Sequence, residues 1–213
     1  MMPNKQRDCT ILGITGGVGA GKSTVMSVLQ EEYGAYLIRA DEVGHRLREP
    51  GGPVFRFLVS EYGTGILNEQ GTLNTEAVAA LAFSSPENAA RLNAGTHPLI
   101  RDAILDEIRQ KSSSHSLIAL EAALLSEGGL LELCDTVWYV YAPRKVRIER
   151  LMQDRGYSRE KCLLIMQRQK TDKAFRLEAD TVILNSGTRE DVERQVARKL
   201  KRICNCSEPG ANP

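Results

Sequence analysis

The sequence predicts an α/β fold, a five-stranded parallel sheet flanked by helices, and three observations point to it. The chain opens as strand, glycine loop, helix, strand, the βαβ unit from which parallel sheets are built. Three further short apolar runs follow, with segments of helical periodicity between them. Between the second and third runs, from about 50 to 112, no strand pattern occurs and the stretch reads as helical throughout.

The first strand is predicted over 10–15, an apolar, β-branched run whose length suits a buried strand. A helix follows over 22–33, where Val25, Val28 and Leu29 share one face and Gly34 supplies a stop. The second strand is expected at 35–38. Pro50-Gly51-Gly52-Pro53 then breaks the chain before the helical insertion, whose last helix is expected at about 97–111. Strands at 116–120 and 136–141 are rich in Val, Ile, Leu and aromatic residues, and a short fifth is expected at 180–184. Helices are expected at about 143–154, 158–170 and 188–203, the first opened by Pro143, which loses no needed N–H there. In a buried strand pattern, Trp138, Tyr139 and Tyr141 read as core.

The organisation that follows is one domain over 1–205, with a core at about 8–48 and 115–203, the insertion at about 50–112 and a polar tail at 206–213. The segment 61–135 holds four Lys/Arg against eleven Asp/Glu, and 144–176 reverses this with eleven against four. The second is either a solvated face or a basic lid over a polyanion.

Composition excludes several classes. In 213 residues, 28 Lys+Arg against 27 Asp+Glu leave a net charge of +1, without the basic excess of a dedicated nucleic-acid binder. No apolar run approaches the ~18 residues of a membrane-spanning helix. The first ten residues carry no apolar segment, so no secretory leader is expected. Five cysteines without a CxxC pair read as reduced thiols in a cytoplasmic protein. The expected state is a monomer or a weak homo-oligomer.

The chemistry begins at Gly16-Gly17-Val18-Gly19-Ala20-Gly21-Lys22-Ser23, which satisfies G-x-x-x-x-G-K-[ST]. Glycines allow positive φ and close backbone approach, so successive N–H groups can face phosphate oxygens. The helix beginning at Lys22 adds its unpaired amides and positive dipole end. Lys22 contributes a point charge at the β- and γ-phosphates, Ser23 a hydroxyl for Mg²⁺, and Thr24 a second hydroxyl. Residues Gly17 through Thr24 are thus the candidate nucleoside triphosphate site.

An acceptor residue is expected at the carboxyl edge of the sheet, where ligands of parallel sheets sit. Asp41 stands there, just past the second strand. It can take a hydroxyl proton from an attacking alcohol or hold a water on Mg²⁺, and it can also cap the helix that follows. His97, before Pro98, is expected at a helix entrance, where its imidazole can cap the helix or bond an acceptor. Glu121 and Glu127 flank the end of the third strand, facing the same edge as Asp41.

These residues together resemble the dephospho-coenzyme A kinase family over about 10–200. The resemblance is carried by Gly13 through Thr24, Ala40-Asp41, Arg46 with Pro50-Gly51, His97-Pro98, Leu124-Leu125-Ser126-Glu127, Gln169, and Ala179-Asp180 through Asn185-Ser186-Gly187. It implies a P-loop kinase fold with an inserted helical acceptor domain and a helical lid at about 144–176. It also implies ATP- and Mg²⁺-dependent phosphorylation of the ribose 3′-hydroxyl of dephospho-coenzyme A. By position, Asp41 resembles the base, Arg150 a lid arginine on the transferring phosphoryl group, and Asn185 a residue near adenine. His97 and Glu127 fall to the acceptor. The chain departs from the family's pattern at Arg39, Ala123, Ser126, Asp154-Arg155 and Ile165. Two other readings of the phosphate loop stand beside this one: a kinase of another nucleoside-like alcohol, and a regulatory nucleotide switch. The guanine-reading Asn-Lys-x-Asp motif of such switches is missing from the chain.

Overall fold

The structure is a computed structural model and describes residues 9–203; Cys204, Cys206 and the tail expected at 206–213 lie outside the described residues. Five strands, β1 (Thr10–Thr15), β2 (Tyr36–Arg39), β3 (Leu117–Glu121), β4 (Thr136–Tyr141) and β5 (Thr181–Leu184), form one sheet in the order β2-β3-β1-β4-β5. Every pairing is parallel. Parallel strands need helical crossovers, which cover both faces and leave the strands as nearly continuous apolar runs. That is why the strands were legible as short hydrophobic blocks.

The helices are α1 (Lys22–Tyr33), α2 (Ala40–Leu47), α3 (Pro53–Tyr62), α4 (Thr75–Ser84), α5 (Pro86–Lys111), α6 (Arg144–Arg155), α7 (Arg159–Gln167), α8 (Asp172–Glu178) and α9 (Arg189–Leu200). On one face of the sheet, Val25, Val28 and Leu29 of α1 pack with Val192 and Val196 of α9 over Leu12, Ile14 and Trp138. The other face buries Val43 of α2 and Ile104 and Ile108 of α5 against Ile11, Ile118 and Leu120. A third cluster, Val54, Leu58 and Ile66 with half-buried neighbours, sits inside the segment between Pro50 and Ser112. Among the described residues no helix is long and apolar enough to cross a membrane.

Three details differ from the sequence expectations. First, His97 does not stand at a helix entrance. Helix α5 already begins at Pro86, behind Ser85, whose side chain accepts from the Asn88 amide, and it runs 26 residues with Pro98 inside it. An interior proline removes one helical hydrogen bond and costs an isolated helix about 3 kcal/mol. The burial of Thr96, Ile104 and Ile108 offsets that here. Second, Asp41 is not a helix cap. Arg39 holds the cap position in extended backbone, without a side-chain cap bond, and Asp41 is the second residue of α2. Third, the helix expected over 158–170 ends at Gln167, and a separate helix α8 follows, capped by Thr171, whose hydroxyl accepts from the Ala174 amide at 3.2 Å.

Ile104 is fully buried where α5 meets the sheet. Ile104→Ala is expected to destabilise the fold by about 2–5 kcal/mol, read as a lower urea midpoint with an unchanged slope.

Candidate active site

The site forms at the carboxyl edge of the sheet. Register aligns Ile14 of β1 with Glu121 of β3, and Glu121 with Arg39 of β2, so three strand ends open onto the same rim. From β1 the chain passes into the loop Gly16 to Gly21 and then into α1, whose cap residue Gly21 is left-handed at φ +83°. A side chain at Gly21 would be strained by that φ and would collide with the Asn185 amide.

The amides of Gly19, Gly21, Lys22 and Ser23 have no hydrogen-bond partner among the described residues, so they remain available to an anion. Other groups of the loop are committed elsewhere. Ala20 is buried, and its N–H donates to the Gly17 carbonyl at 3.1 Å. Gly17 is covered by the Arg147 guanidinium, which a Cβ there would strike. Thus Gly17 and Ala20, expected in the triphosphate cradle, form its back, whereas Val18, Gly19, Gly21, Lys22, Ser23 and Thr24 line the cleft. Lys22 Nζ donates to the Gly16 carbonyl at 3.0 Å and lies 3.6 Å from Glu121 Oε1.

Three side chains distant in sequence hold this loop in shape. Asn185, 3% exposed, donates from Nδ2 to the carbonyls of Ala20 and Gly21 at 3.0 and 3.1 Å. Its amide is therefore spent on the loop, and the adenine contact expected of it has no exposed donor to rest on. Arg147 of α6, 8% exposed, donates from Nε to the Val18 carbonyl at 2.8 Å and from Nη2 to Gln169 Oε1 at 3.0 Å. Gln169 Oε1 also accepts from the Val18 amide at 3.0 Å. Burial lowers the Arg147 pKa and Asp172, 3.9 Å away, pushes it back up. Asp172 also accepts from Tyr139 Oη at 2.7 Å; burial and that carboxylate raise the Tyr139 pKa, keeping the phenol protonated. Sequence reasoning gave Arg147 no role. Its signal was an arginine on the stripe of Ile148 and Leu151, the buried face of α6.

Two clefts meet at the rim. The larger, about 740 Å³, runs along the phosphate loop and is faced by Arg150, Asp154 and Arg155 of α6, by Gln169 and by Glu121. Arg150 is anchored by Nη1 to the Ala20 carbonyl at 3.4 Å and by Nη2 to Asn185 Oδ1 at 3.5 Å. The smaller, about 250 Å³, lies against α5 and is lined by His97, Ile100, Leu124, Glu127 and Arg48. Asp41 and Ala123 line both. The cation at Arg39 is occupied by two carboxylates, Glu121 at 3.8 Å and Glu42 at 3.6 Å. Cys134 offers no nucleophile, since burial pushes its thiol up to about 12.

A family model described as dephospho-CoA kinase matches residues 10–191. The dephospho-CoA kinase of Dehalococcoides mccartyi is 40% identical over 187 residues, covering 86% of this chain and 92% of the relative. That of Corynebacterium diphtheriae is 39% identical over 191 residues, covering 89% and 94%. Among solved structures, a Thermus thermophilus protein gives a TM-score of 0.77 at 32% identity, over 92% of this chain and 99% of that one. The dephospho-CoA kinase of Campylobacter jejuni gives 0.65 at 21%, over 91% and 96%, a likeness of fold.

The Gly21→Ala exchange tests the loop geometry, because it displaces both Asn185 and the adjoining amides. It is expected to weaken triphosphate binding about tenfold or more, measured by calorimetric titration with a non-hydrolysable ATP analogue.

Proposed function

The chain belongs to the dephospho-CoA kinase family, and from that premise we propose that it transfers the γ-phosphoryl group of ATP to the ribose 3′-hydroxyl of dephospho-coenzyme A, giving coenzyme A and ADP. The observation that carries the site assignment is the carboxylate shared by two clefts. Asp41 faces the unpaired amides and cations on one side and the acceptor cleft on the other. A nucleotide switch needs only the first cleft, whereas transfer to an alcohol needs both.

In this reading the amides of Gly19, Gly21, Lys22 and Ser23, with the Lys22 ammonium, hold the β- and γ-phosphates. Arg150, with Arg155 beside it, faces the charge that spreads over the transferring phosphoryl oxygens, where fixed cations lower the barrier most. Asp41 orients the 3′-hydroxyl and accepts its proton. The new bond joins the 3′-oxygen to the γ-phosphorus as the bond to the β-bridging oxygen breaks, and ADP leaves with that electron pair. His97 and Glu127 line the acceptor side and fix the ribose and base. Asn185, Arg147 and Gln169 act one step back, as positioning residues for the loop.

Magnesium fits the donors present. The Ser23 hydroxyl and the carboxylates of Asp41 and Glu121 face the same cleft, a hard-oxygen set suited to an ion that keeps several waters and takes few protein ligands. When bound, Mg²⁺ neutralises phosphate charge. Ser23 would hold it directly, and Asp41 and Glu121 through water.

The test is turnover of Mg·ATP with dephospho-coenzyme A, followed by the mass of the phosphorylated product. Lys22→Ala is expected to abolish it. Asp41→Asn is expected to lower kcat about 100-fold or more with the ATP dissociation constant unchanged. Full turnover in Asp41→Asn would remove its assigned role, and phosphate appearing on a different alcohol would replace the acceptor.

A further inference from the structure

The end of β2 carries a cation with no task in the transfer described above. Arg39 lines neither cleft, and it is one of the positions at which the chain departs from its family's pattern. In the ladder it stands opposite Glu121 of β3, and paired residues on neighbouring strands present their side chains to the same face of the sheet. Arg39 Nε lies 3.8 Å from Glu121 Oε2, and Arg39 Nη1 lies 3.6 Å from Oε1 of the more exposed Glu42.

The other oxygen of Glu121 faces the phosphate loop, where Oε1 lies 3.6 Å from Lys22 Nζ. One carboxylate therefore stands between two cations and closes on neither, since a charge-assisted N–H···O bond shortens to about 2.8 Å. The Lys22 and Glu121 side chains are 15% and 21% exposed, so water and salt screen the pair only in part. Of the three donors on the ammonium, one goes to the Gly16 carbonyl at 3.0 Å. The other two make no hydrogen bond among the described residues. Glu121 and Lys22 line the same cleft. How closely the carboxylate approaches Lys22 decides how much of that charge is left for a phosphate.

We propose that Arg39 is a positioning residue for ATP: by sharing Glu121, it keeps the carboxylate from closing on Lys22 and leaves the ammonium to the β- and γ-phosphates. The proposal rests on the reading of this loop as the triphosphate site. Without a cation at position 39, Glu121 has only Lys22 to pair with at the rim. An incoming triphosphate then has to break that pair and face a carboxylate with no counter-charge. Arg39 thus acts on the nucleotide through Glu121 and touches no reacting atom. Its planar, permanently charged guanidinium suits the place, because it meets Glu121 through Nε and Glu42 through Nη1 at once.

A double-mutant cycle tests this, because it separates an effect carried by Glu121 from one that Arg39 exerts alone. The probe is the Mg²⁺ complex of adenylyl imidodiphosphate, and the readout is its dissociation constant by calorimetric titration. Arg39→Gln is expected to raise that constant about fivefold. Arg39→Lys, which keeps the charge, should leave it within about twofold. In a Glu121→Gln background, Arg39→Gln should change it by less than about twofold. Comparison within each background cancels whatever Glu121→Gln costs by itself, and Glu121→Ala supplies the same background should Glu121→Gln not fold. An unchanged constant in Arg39→Gln overturns the proposal. So does a loss of equal size with and without the Glu121 carboxylate, since Arg39 then acts on the anion directly or on the fold at large. Arg39→Lys as weak as Arg39→Gln overturns it too, because charge is then not the cause. Wild-type protein that does not bind the probe removes the triphosphate site, and the proposal with it.

Discussion

Everything at this site depends on keeping the amides of Gly19, Gly21, Lys22 and Ser23 unpaired while the carbonyls of Val18, Ala20 and Gly21 beside them are held. Orphan N–H groups ordinarily seek a carbonyl or water, and a glycine-rich loop has the freedom to find one. Here the neighbouring groups are already taken. Asn185 holds the Ala20 and Gly21 carbonyls, Arg147 holds that of Val18, and Gln169 takes the Val18 amide. The loop cannot collapse onto itself, so its remaining amides stay aimed at the cleft. Preorganisation of this kind means that the donors need not reorganise when charge develops.

The same interactions tie the nucleotide side to the basic segment that faces it. Arg147 and Arg150 lie on one helix, α6, and both reach carbonyls of the phosphate loop. Gln169 and Lys170 are adjacent, yet Gln169 bonds Val18 while Lys170 bonds Ser126 and Glu178, the former in the loop beside the acceptor cleft. A movement of this connection is therefore felt on both sides of Asp41. Charge is arranged with similar economy. Glu121 sits between Lys22 and Arg39, so the cation at position 39 is drawn toward Glu121 and Glu42. Asp41 is left facing both clefts.

The sequence signals that worked were local. The glycine-lysine-serine spacing, the apolar strand blocks and the placement of Asp41 after the second strand each depend on residues within a few positions of one another. The errors came where a local rule met a larger packing gain. Pro98 argues for a helix boundary, but α5 continues through it because residues on either side are buried against the sheet and the insertion. Asp41 looks like a cap, but Arg39 is in extended backbone and takes that position. Helix α7 stops at Gln167, three residues short of the expected 170, and Thr171, just past the expected end, caps a further helix, α8, that the sequence reading did not place.

By itself, the chain determined a parallel sheet, a phosphate loop at its carboxyl edge and a carboxylate beside that loop, because periodicity and motif spacing are encoded in neighbouring residues. Only the tertiary structure decided which groups complete the site. Arg147 and Gln169 meet Val18 across 129 and 151 residues, and Asn185 meets Ala20 across 165. Such contacts leave no periodic trace. They exist because β1, β4 and β5 are neighbours in the sheet, and that order brings the residues after each strand to one rim.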